Sequence, residues 1–99
     1  MKLTIGIPVY NGEKYISRCI DSIAKEYEAV KDKIELELLI VNDGSKDSSE
    51  TILKGYSEKL SYLKVISQEN RGLAHVRRVT LEEASGDYLW FVDVDDEIE

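Results

Sequence analysis

The sequence predicts a three-layer α/β/α fold built around a four-stranded, mainly parallel sheet. Along the 99 residues the apolar side chains switch repeatedly between the period of a strand and that of a helix, in the order β-α-β-α-β-α-β. Polar and glycine-containing segments follow the apolar runs and mark where the strands end. Such alternation favours parallel strands joined by right-handed crossovers. We therefore expect one Rossmann-like domain over residues 1–99.

The first two strands and the first helix follow from the spacing of apolar residues. Residues 3–9 place alternate apolar side chains on one face of a strand. Residues 12–27 form a helix, because apolar side chains recur at i, i+3, i+4 and i+7, namely Ile16, Cys19, Ile20 and Ile23. Asn11 is expected to be its N-cap, with Glu13 in its first turn. Residues 35–41 form the second strand, whose four apolar last residues suit a strand covered on both faces.

The remaining helices and strands are predicted from shorter sequence patterns. A second helix is expected to begin near Asp47, because Asp47 and Glu50 have the spacing of a capping box. A short third strand, a third helix and a fourth, buried apolar strand follow over residues 62–66, 72–84 and 88–92. Gly86 is placed to end the third helix.

Composition and charge exclude several classes of function. The net charge of -7 argues against binding to nucleic acid or anionic membranes, which requires basic patches. The apolar runs are too short to cross a bilayer, and the first residues lack the apolar stretch of a signal peptide. We therefore expect no membrane span in this chain and a cytoplasmic location. The single cysteine, Cys19, is expected to be a buried core thiol in a reducing compartment.

Polar, mostly acidic segments follow three of the four predicted strands, at residues 8–12, 42–45 and 93–96. Because the carboxyl ends of parallel strands lie at one edge of a sheet, we expect these segments to converge on a single site. The first strand lacks the G-x-G-x-x-G turn of a dinucleotide-binding dehydrogenase. It also lacks the acidic pair that a receiver-like signalling domain needs.

The carboxylates of Asp93, Asp95 and Asp96 form a candidate metal site. Residues two apart in extended backbone point the same way, so the carboxylates of Asp93 and Asp95 can bind the same metal ion. Carboxylates crowded after a strand repel one another unless a cation lies among them, and oxygen ligands suit Mg²⁺ or Mn²⁺. The alternative is a solvated acidic tail.

Other residues near the strand ends admit two interpretations each. Asp43 could accept a hydrogen bond from the imide N–H of uracil, or could serve only the turn at Gly44. Tyr10 could stack on a base or simply pack. Arg77 lies in the first turns of the third helix, where its guanidinium could reach a phosphate. His75 in the same turn is expected to be structural.

Taken together, these segments resemble the family-2 glycosyltransferases with the A-type glycosyltransferase fold. The resemblance spans the whole chain and rests on four motifs in order, namely residues 7–11 (Ile-Pro-Val-Tyr-Asn), 41–45 (Val-Asn-Asp-Gly-Ser), 68–73 (Gln-Glu-Asn-Arg-Gly-Leu) and 86–96, which ends in Asp-Val-Asp-Asp. It implies a sheet of order 3-2-1-4 and the nucleotide-sugar-binding half of the enzyme, truncated after the acidic motif.

The resemblance also implies an activity and a set of binding residues. Such an enzyme transfers a sugar, in an inverting reaction, from a nucleotide diphosphate donor to the hydroxyl of a saccharide or lipid-linked acceptor. The donor is expected to be a UDP-sugar, bound by Pro8, Val9, Tyr10, Asn11, Asp43, Arg77 and Asp93. Asp95 would bind the Mg²⁺ or Mn²⁺ that bridges the diphosphate, with Asp93 and Asp96 beside it. This sequence departs from the family pattern after Arg77, where Arg78 and Thr80 replace the usual asparagine and glycine.

The family's general base and acceptor half would lie beyond Glu99, so we expect this chain to bind donor without catalysing transfer. The fourth strand would then leave apolar surface uncovered, and self-association is expected. Two alternatives stay open: a donor carrying guanine or thymine, and a domain that serves only as a binding or assembly module.

Overall fold

The computed structural model describes residues 1–94, so the predicted metal ligands Asp95 and Asp96 lie outside the described residues. Four strands and three helices alternate along this part of the chain, as the sequence predicts. Their bounds are β1 Lys2–Val9, α1 Ile16–Glu28, β2 Glu35–Asp43, α2 Ser49–Lys59, β3 Leu63–Gln68, α3 Leu73–Glu83 and β4 Tyr88–Phe91.

The four strands form one sheet in the order β3-β2-β1-β4, and every neighbouring pair is parallel. This confirms the predicted fold class and strand order. The order reverses at β1, whose neighbours are β2 on one side and β4 on the other. Ligand sites in such sheets lie beyond the carboxyl ends of the strands at this point of reversal.

Helices α1 and α2 cover one face of the sheet. Alternate residues of β1 and β2 point into this layer, and the register that pairs Ile5 with Leu38 and Ile7 with Ile40 aligns their side chains. The apolar stripe of α1 packs against them, including Cys19, which is 1% exposed. The prediction of a buried core thiol is therefore confirmed.

Helix α3 covers the opposite face. There Leu39 and Val41 of β2 are fully buried, as are Val76 and Thr80 of α3. Gly6 of β1 allows the helix to approach closely, since a Cβ at that position would lie 2.6 Å from the Thr80 methyl carbon. The helices thus lie on both faces of the sheet, and the last residues of β2 are covered on both sides.

The predicted start of α1 is wrong by about four residues, whereas α2 begins close to Asp47, as predicted. Helix α1 begins at Ile16, because Asn11 adopts a positive φ of 51° and a turn follows it. Asn11 is therefore not the N-cap. Helix α2 begins two residues after Asp47, whose carboxylate accepts a hydrogen bond from the N–H of Ser49 at 2.9 Å.

Gly86 does not end α3, which stops at Glu83. Its role is a close approach, since a Cβ there would lie 2.6 Å from the Thr4 hydroxyl oxygen. That hydroxyl accepts a hydrogen bond from the Gly86 N–H and donates one to Glu37, whose carboxylate also accepts the N–H and hydroxyl of Ser85. These bonds attach the connection between α3 and β4 to the two central strands, β1 and β2.

The expectation that β4 is buried is wrong. Among the described strands it pairs only with β1, so it lies at the edge of the sheet. Trp90 is 50% exposed and Tyr88 is 63% exposed. Within residues 1–94, no helix combines the length and the apolar character that a membrane crossing demands.

Candidate functional site

A cavity of about 400 Å³ opens at the carboxyl edge of the sheet, between the ends of β1, β2 and β4. Its walls come from four parts of the chain that lie far apart in sequence: residues 8–12 with Tyr15, Asp43, the start of α3, and residues 93–94. The structure therefore brings together six of the predicted binding residues, namely Pro8, Val9, Tyr10, Asn11, Asp43 and Asp93.

Tyr10 offers an exposed aromatic surface to this cavity. Tyr10 directly follows the last residue of β1 and is 49% exposed, whereas Val9 before it is buried in the core. Tyr15, just before α1, also lines the cavity and is 45% exposed. A planar ligand can therefore meet aromatic carbon here without the core being disturbed.

The loop after β1 is held to the loop after β2 by hydrogen bonds that we call the two-loop clasp, between residues 11–13 and 45–49. The Asn11 N–H donates to the Ser45 hydroxyl at 2.9 Å, and the Asn11 side-chain oxygen accepts the Lys46 N–H at 2.7 Å. Three further bonds continue the clasp: Gly12 N–H to the Ser49 hydroxyl, Glu13 N–H to the Asp47 carboxylate, and Ser48 N–H to the Glu13 carboxylate. Asn11 thus has a structural role that the sequence did not reveal.

Asp43 lies at the last position of β2, is 5% exposed, and accepts three hydrogen bonds. One oxygen accepts the side-chain amide of Gln68 at 3.0 Å and the N–H of Arg71 at 2.8 Å, and the other accepts the N–H of Gly72 at 3.0 Å. Burial alone would raise the pKa of Asp43. These hydrogen bonds, with a smaller contribution from the charge of His75, outweigh burial and hold the pKa below its ordinary value. Asp43 is therefore an anion at neutral pH.

Gly44 makes the turn that lets the segment after β3 lie against the end of β2. Its φ is 70°, in the left-handed region, and a Cβ there would lie 2.5 Å from the backbone nitrogen of Asn70. The predicted turn at Gly44 is confirmed, and the absence of a Cβ also allows the two backbone segments to approach closely.

Asp93 is exposed at the cavity, directly after the buried Val92. Within residues 1–94, no cluster of three or more histidine, cysteine, aspartate or glutamate side chains is arranged to hold a metal ion. The predicted metal site depends on two further carboxylates outside this range, and it stays a prediction. Asp93 fits such a site chemically, since it supplies one oxygen ligand of the type that Mg²⁺ and Mn²⁺ prefer.

Arg77 does not line the cavity. Its guanidinium carbon lies 5.9 Å from the centroid of the Phe91 ring, in the geometry of a cation–π contact between α3 and β4. The predicted phosphate contact of Arg77 therefore finds no support in its position, and it stays untested.

Five residues that line the cavity were not predicted from the sequence: Gly12, Tyr15, Leu73, Val76 and Val94. Leu73 and Val76 are spaced at i, i+3 on α3, a signal that indicates one helix face but not what it faces. Tyr15 could not be found, because its position depends on the turn that follows Asn11.

A larger groove of about 1040 Å³ lies at the opposite, amino-terminal edge of the sheet. It contains Tyr27 and Tyr62, whose rings meet edge to face with centroids 5.0 Å apart, among charged side chains of both signs. Its walls, as far as residues 1–94 form them, contain none of the predicted donor-binding residues. The smaller cavity is the candidate site, because it lies where the strand order reverses.

A parallel sheet of this order with a cavity at its carboxyl edge defines the class of protein, an α/β domain of the nucleotide-binding type. Comparison with known proteins assigns the family. The model of glycosyl transferase family 2 matches residues 4–99. The chain belongs to this family and has the A-type glycosyltransferase fold.

Relatives and solved structures agree with this assignment. Glycosyltransferase GlyA of Streptococcus pneumoniae is 43% identical over 98 residues, which are 99% of this chain and 13% of that protein. The structure of Staphylococcus aureus TarS 1-349 in complex with UDP superposes with a TM-score of 0.86 and 38% identity, covering 100% of this chain and 29% of that one. The mannosyltransferase PcManGT of Pyrobaculum calidifontis, in complex with GDP-Man and Mn²⁺, superposes with a TM-score of 0.82 and 28% sequence identity. The match covers 94% of this chain and 27% of that one. The chain thus spans less than a third of each of these proteins.

Proposed function

We propose that this chain is the donor-binding part of a nucleotide-sugar-dependent glycosyltransferase and that its donor is a UDP-sugar. The observation that supports this most strongly is the cavity at the carboxyl edge, lined by residues of all four family motifs. The UDP complex of TarS, 38% identical to this chain, supports uracil as the base.

In this proposal the base lies against Tyr10, with the backbone of Pro8 and Val9 forming the floor of its pocket. All three residues line the cavity, and Val9 is fixed by the core behind it. Asn11 holds the rim through the two-loop clasp. Asp93, exposed on the far side of the cavity from β2, is assigned to the ribose or sugar.

The proposed metal, Mg²⁺ or Mn²⁺, would be held by Asp93 together with Asp95 and Asp96. When bound, it would supply positive charge against the leaving diphosphate. The Mn²⁺ in the mannosyltransferase complex supports a divalent ion in this family. The net charge of -7 makes such an ion more necessary, since the chain would otherwise repel a diphosphate.

The proposed reaction moves the sugar from the nucleoside diphosphate to a hydroxyl of a saccharide or lipid-linked acceptor, with inversion at the anomeric carbon. The acceptor oxygen forms the new bond, the diphosphate leaves with the electron pair, and a general base takes the hydroxyl proton. We assign that base to a residue outside positions 1–94. Asp43 accepts three hydrogen bonds from the protein, and Asp93 is assigned to the donor.

Calorimetry with UDP, GDP and dTDP in the presence of Mn²⁺ tests the proposal. We expect UDP to bind most tightly. Tighter binding of GDP would instead favour a GDP-sugar donor, such as the GDP-Man in the mannosyltransferase complex. Tyr10→Ala should weaken UDP binding by about 1–3 kcal/mol through lost stacking, and Tyr10→Phe should retain it. Absence of heat with every nucleotide would refute donor binding and favour a binding or assembly module.

A further inference from the structure

Asn11 and Gly12 form a sequence step at which an asparagine readily loses its side-chain amide. In this reaction the backbone nitrogen of the following residue attacks the side-chain carbonyl carbon, and a glycine there has no side chain to hinder the approach. The other two asparagines of the chain, Asn42 and Asn70, are not followed by glycine. Asn11, at the rim of the candidate cavity, is therefore the asparagine most prone to this reaction.

The two-loop clasp restrains both reacting groups. The N–H of Gly12 donates to the hydroxyl of Ser49 at 2.9 Å, and both residues are buried. This nitrogen must lose its proton before it can attack, and a buried, hydrogen-bonded N–H is shielded from hydroxide. The side-chain oxygen of Asn11 accepts the N–H of Lys46 at 2.7 Å, which holds the amide against the loop after β2. Attack therefore requires these bonds to open.

We propose that Asn11 is a site of spontaneous deamidation whose rate is set by opening of the two-loop clasp, and that the modification weakens donor binding. The Gly12 nitrogen gives its proton to hydroxide and forms a bond to the Asn11 Cγ. The side-chain nitrogen takes a proton from water and leaves as ammonia with the electrons of the broken C–N bond. Water then opens the five-membered imide. Cleavage of the new bond gives aspartate, and cleavage at the backbone carbonyl gives isoaspartate.

Both products change the rim of the cavity. Each adds a negative charge to a chain that already carries a net charge of -7, and a nucleoside diphosphate is itself an anion. Isoaspartate also lengthens the backbone by one carbon directly after Tyr10, which lines the cavity. This second part of the proposal rests on the proposed function, because it concerns the donor. The deamidation itself depends only on the clasp.

Peptide mapping by mass spectrometry, after incubation at mildly alkaline pH, measures deamidation at each asparagine separately. In urea Asn11 should react fastest of the three. In the folded protein its rate should fall by about tenfold or more, whereas that of the exposed Asn70 should change less. This comparison uses the parent chain alone and does not depend on whether a variant folds. Equal rates at Asn11 in the folded and the unfolded chain would overturn the proposal.

Two serine variants test control by the clasp. Ser49→Ala removes the acceptor of the Gly12 N–H, so Asn11 should deamidate about fivefold faster in the folded protein. Ser45→Ala is the matched control, since it removes a bond of the same clasp but frees only the N–H of Asn11, which does not react. It should accelerate the reaction less. Asn42 is 3% exposed in β2 and reports global unfolding, so equal acceleration at Asn42 would refute control by the clasp.

UDP with Mn²⁺ tests the link to the donor. Bound nucleotide should slow deamidation of Asn11, and the chromatographically separated isoaspartate form should bind UDP about fivefold more weakly by calorimetry. Asn11→Asp reproduces the added charge without the longer backbone and should lose less affinity. Unchanged affinity of the isoaspartate form would overturn this part. If the unaltered chain bound no nucleotide, the proposed function would fail, while the rates in Ser49→Ala would still decide whether the clasp controls deamidation.

Discussion

Replacing Gly44 by alanine is the sharpest perturbation that the structure offers at the candidate site. The residue has a φ of 70°, where an L side chain is strained. Its new Cβ would lie 2.5 Å from the Asn70 backbone nitrogen and 3.1 Å from the Asn70 Cα. Backbone cannot rotate out of the way as a flexible side chain can, so the segment after β3 must shift.

The expected cost follows from these two terms. A left-handed conformation costs a non-glycine residue about 1–2 kcal/mol, and a forced backbone shift costs roughly 1–3 kcal/mol more. We expect Gly44→Ala to lower the free energy of unfolding by about 2–5 kcal/mol. For a domain of this size that corresponds to a fall in Tm of about 10–25 °C.

Thermal and urea denaturation measure this effect, and Gly55→Ala is a matched control. Gly55 lies inside α2, where a Cβ would meet no other described atom within 4 Å. The alanine there should gain about 0.5–1 kcal/mol from better helix propensity. The same chemical change should therefore destabilise at one glycine and stabilise at the other. A Gly44→Ala protein as stable as the parent would refute the reasoning.

Three further outcomes are expected. The pKa of Glu37 is lowered, because the hydrogen bonds from Ser85 and Thr4 and the charge of Lys2 outweigh burial, which raises it. The ionised Glu37 carboxylate therefore contributes its full stabilisation above its ordinary pKa of 4.5, and this stabilisation is lost as the pH falls through the lower pKa of the folded protein. Glu37→Gln should thus lower the free energy of unfolding at pH 7 and lower it progressively less in acid. A difference in unfolding free energy between variant and parent that does not change with pH would contradict this. Arg77→Ala should leave UDP affinity within about twofold and lower the free energy of unfolding by about 0.5–1 kcal/mol, because the contact with Phe91 is lost. A tenfold loss of UDP affinity, measured by calorimetry, would instead support a contact between Arg77 and a phosphate. Sedimentation should show that the protein associates as its concentration rises and that Trp90→Lys reduces this association, because Trp90 is exposed at the apolar edge. A monomer at high concentration would refute self-association.

The fold was predictable because apolar periodicity and strand burial are local properties of the sequence. The buried run from Leu38 to Val41 and the stripe of α1 follow directly from spacing. The exposure of β4 was not predictable from the same signal, although the expected order 3-2-1-4 places this strand at the edge of the sheet. An apolar strand at the edge of a sheet has the same composition as one in its centre, and only pairing distinguishes them.

The site divides in the same way. Residues that directly follow a strand, such as Tyr10 and Asp93, could be located because topology carries them to one edge. The partners of Asp43 and Asn11 could not, since they lie 25 to 35 positions away in sequence. The position of Arg77 also depends on packing, because adjacent positions on a helix point in different directions.

The two-loop clasp has a consequence for how the site moves. Residues 11–13 and 45–49 exchange donors and acceptors in both directions, so neither loop can swing outward without breaking the bonds of the other. Their fluctuations are therefore correlated, and a ligand that touches only the Tyr10 side of the cavity also restrains the start of α2. The two loops therefore form one hydrogen-bonded unit at the rim of the cavity.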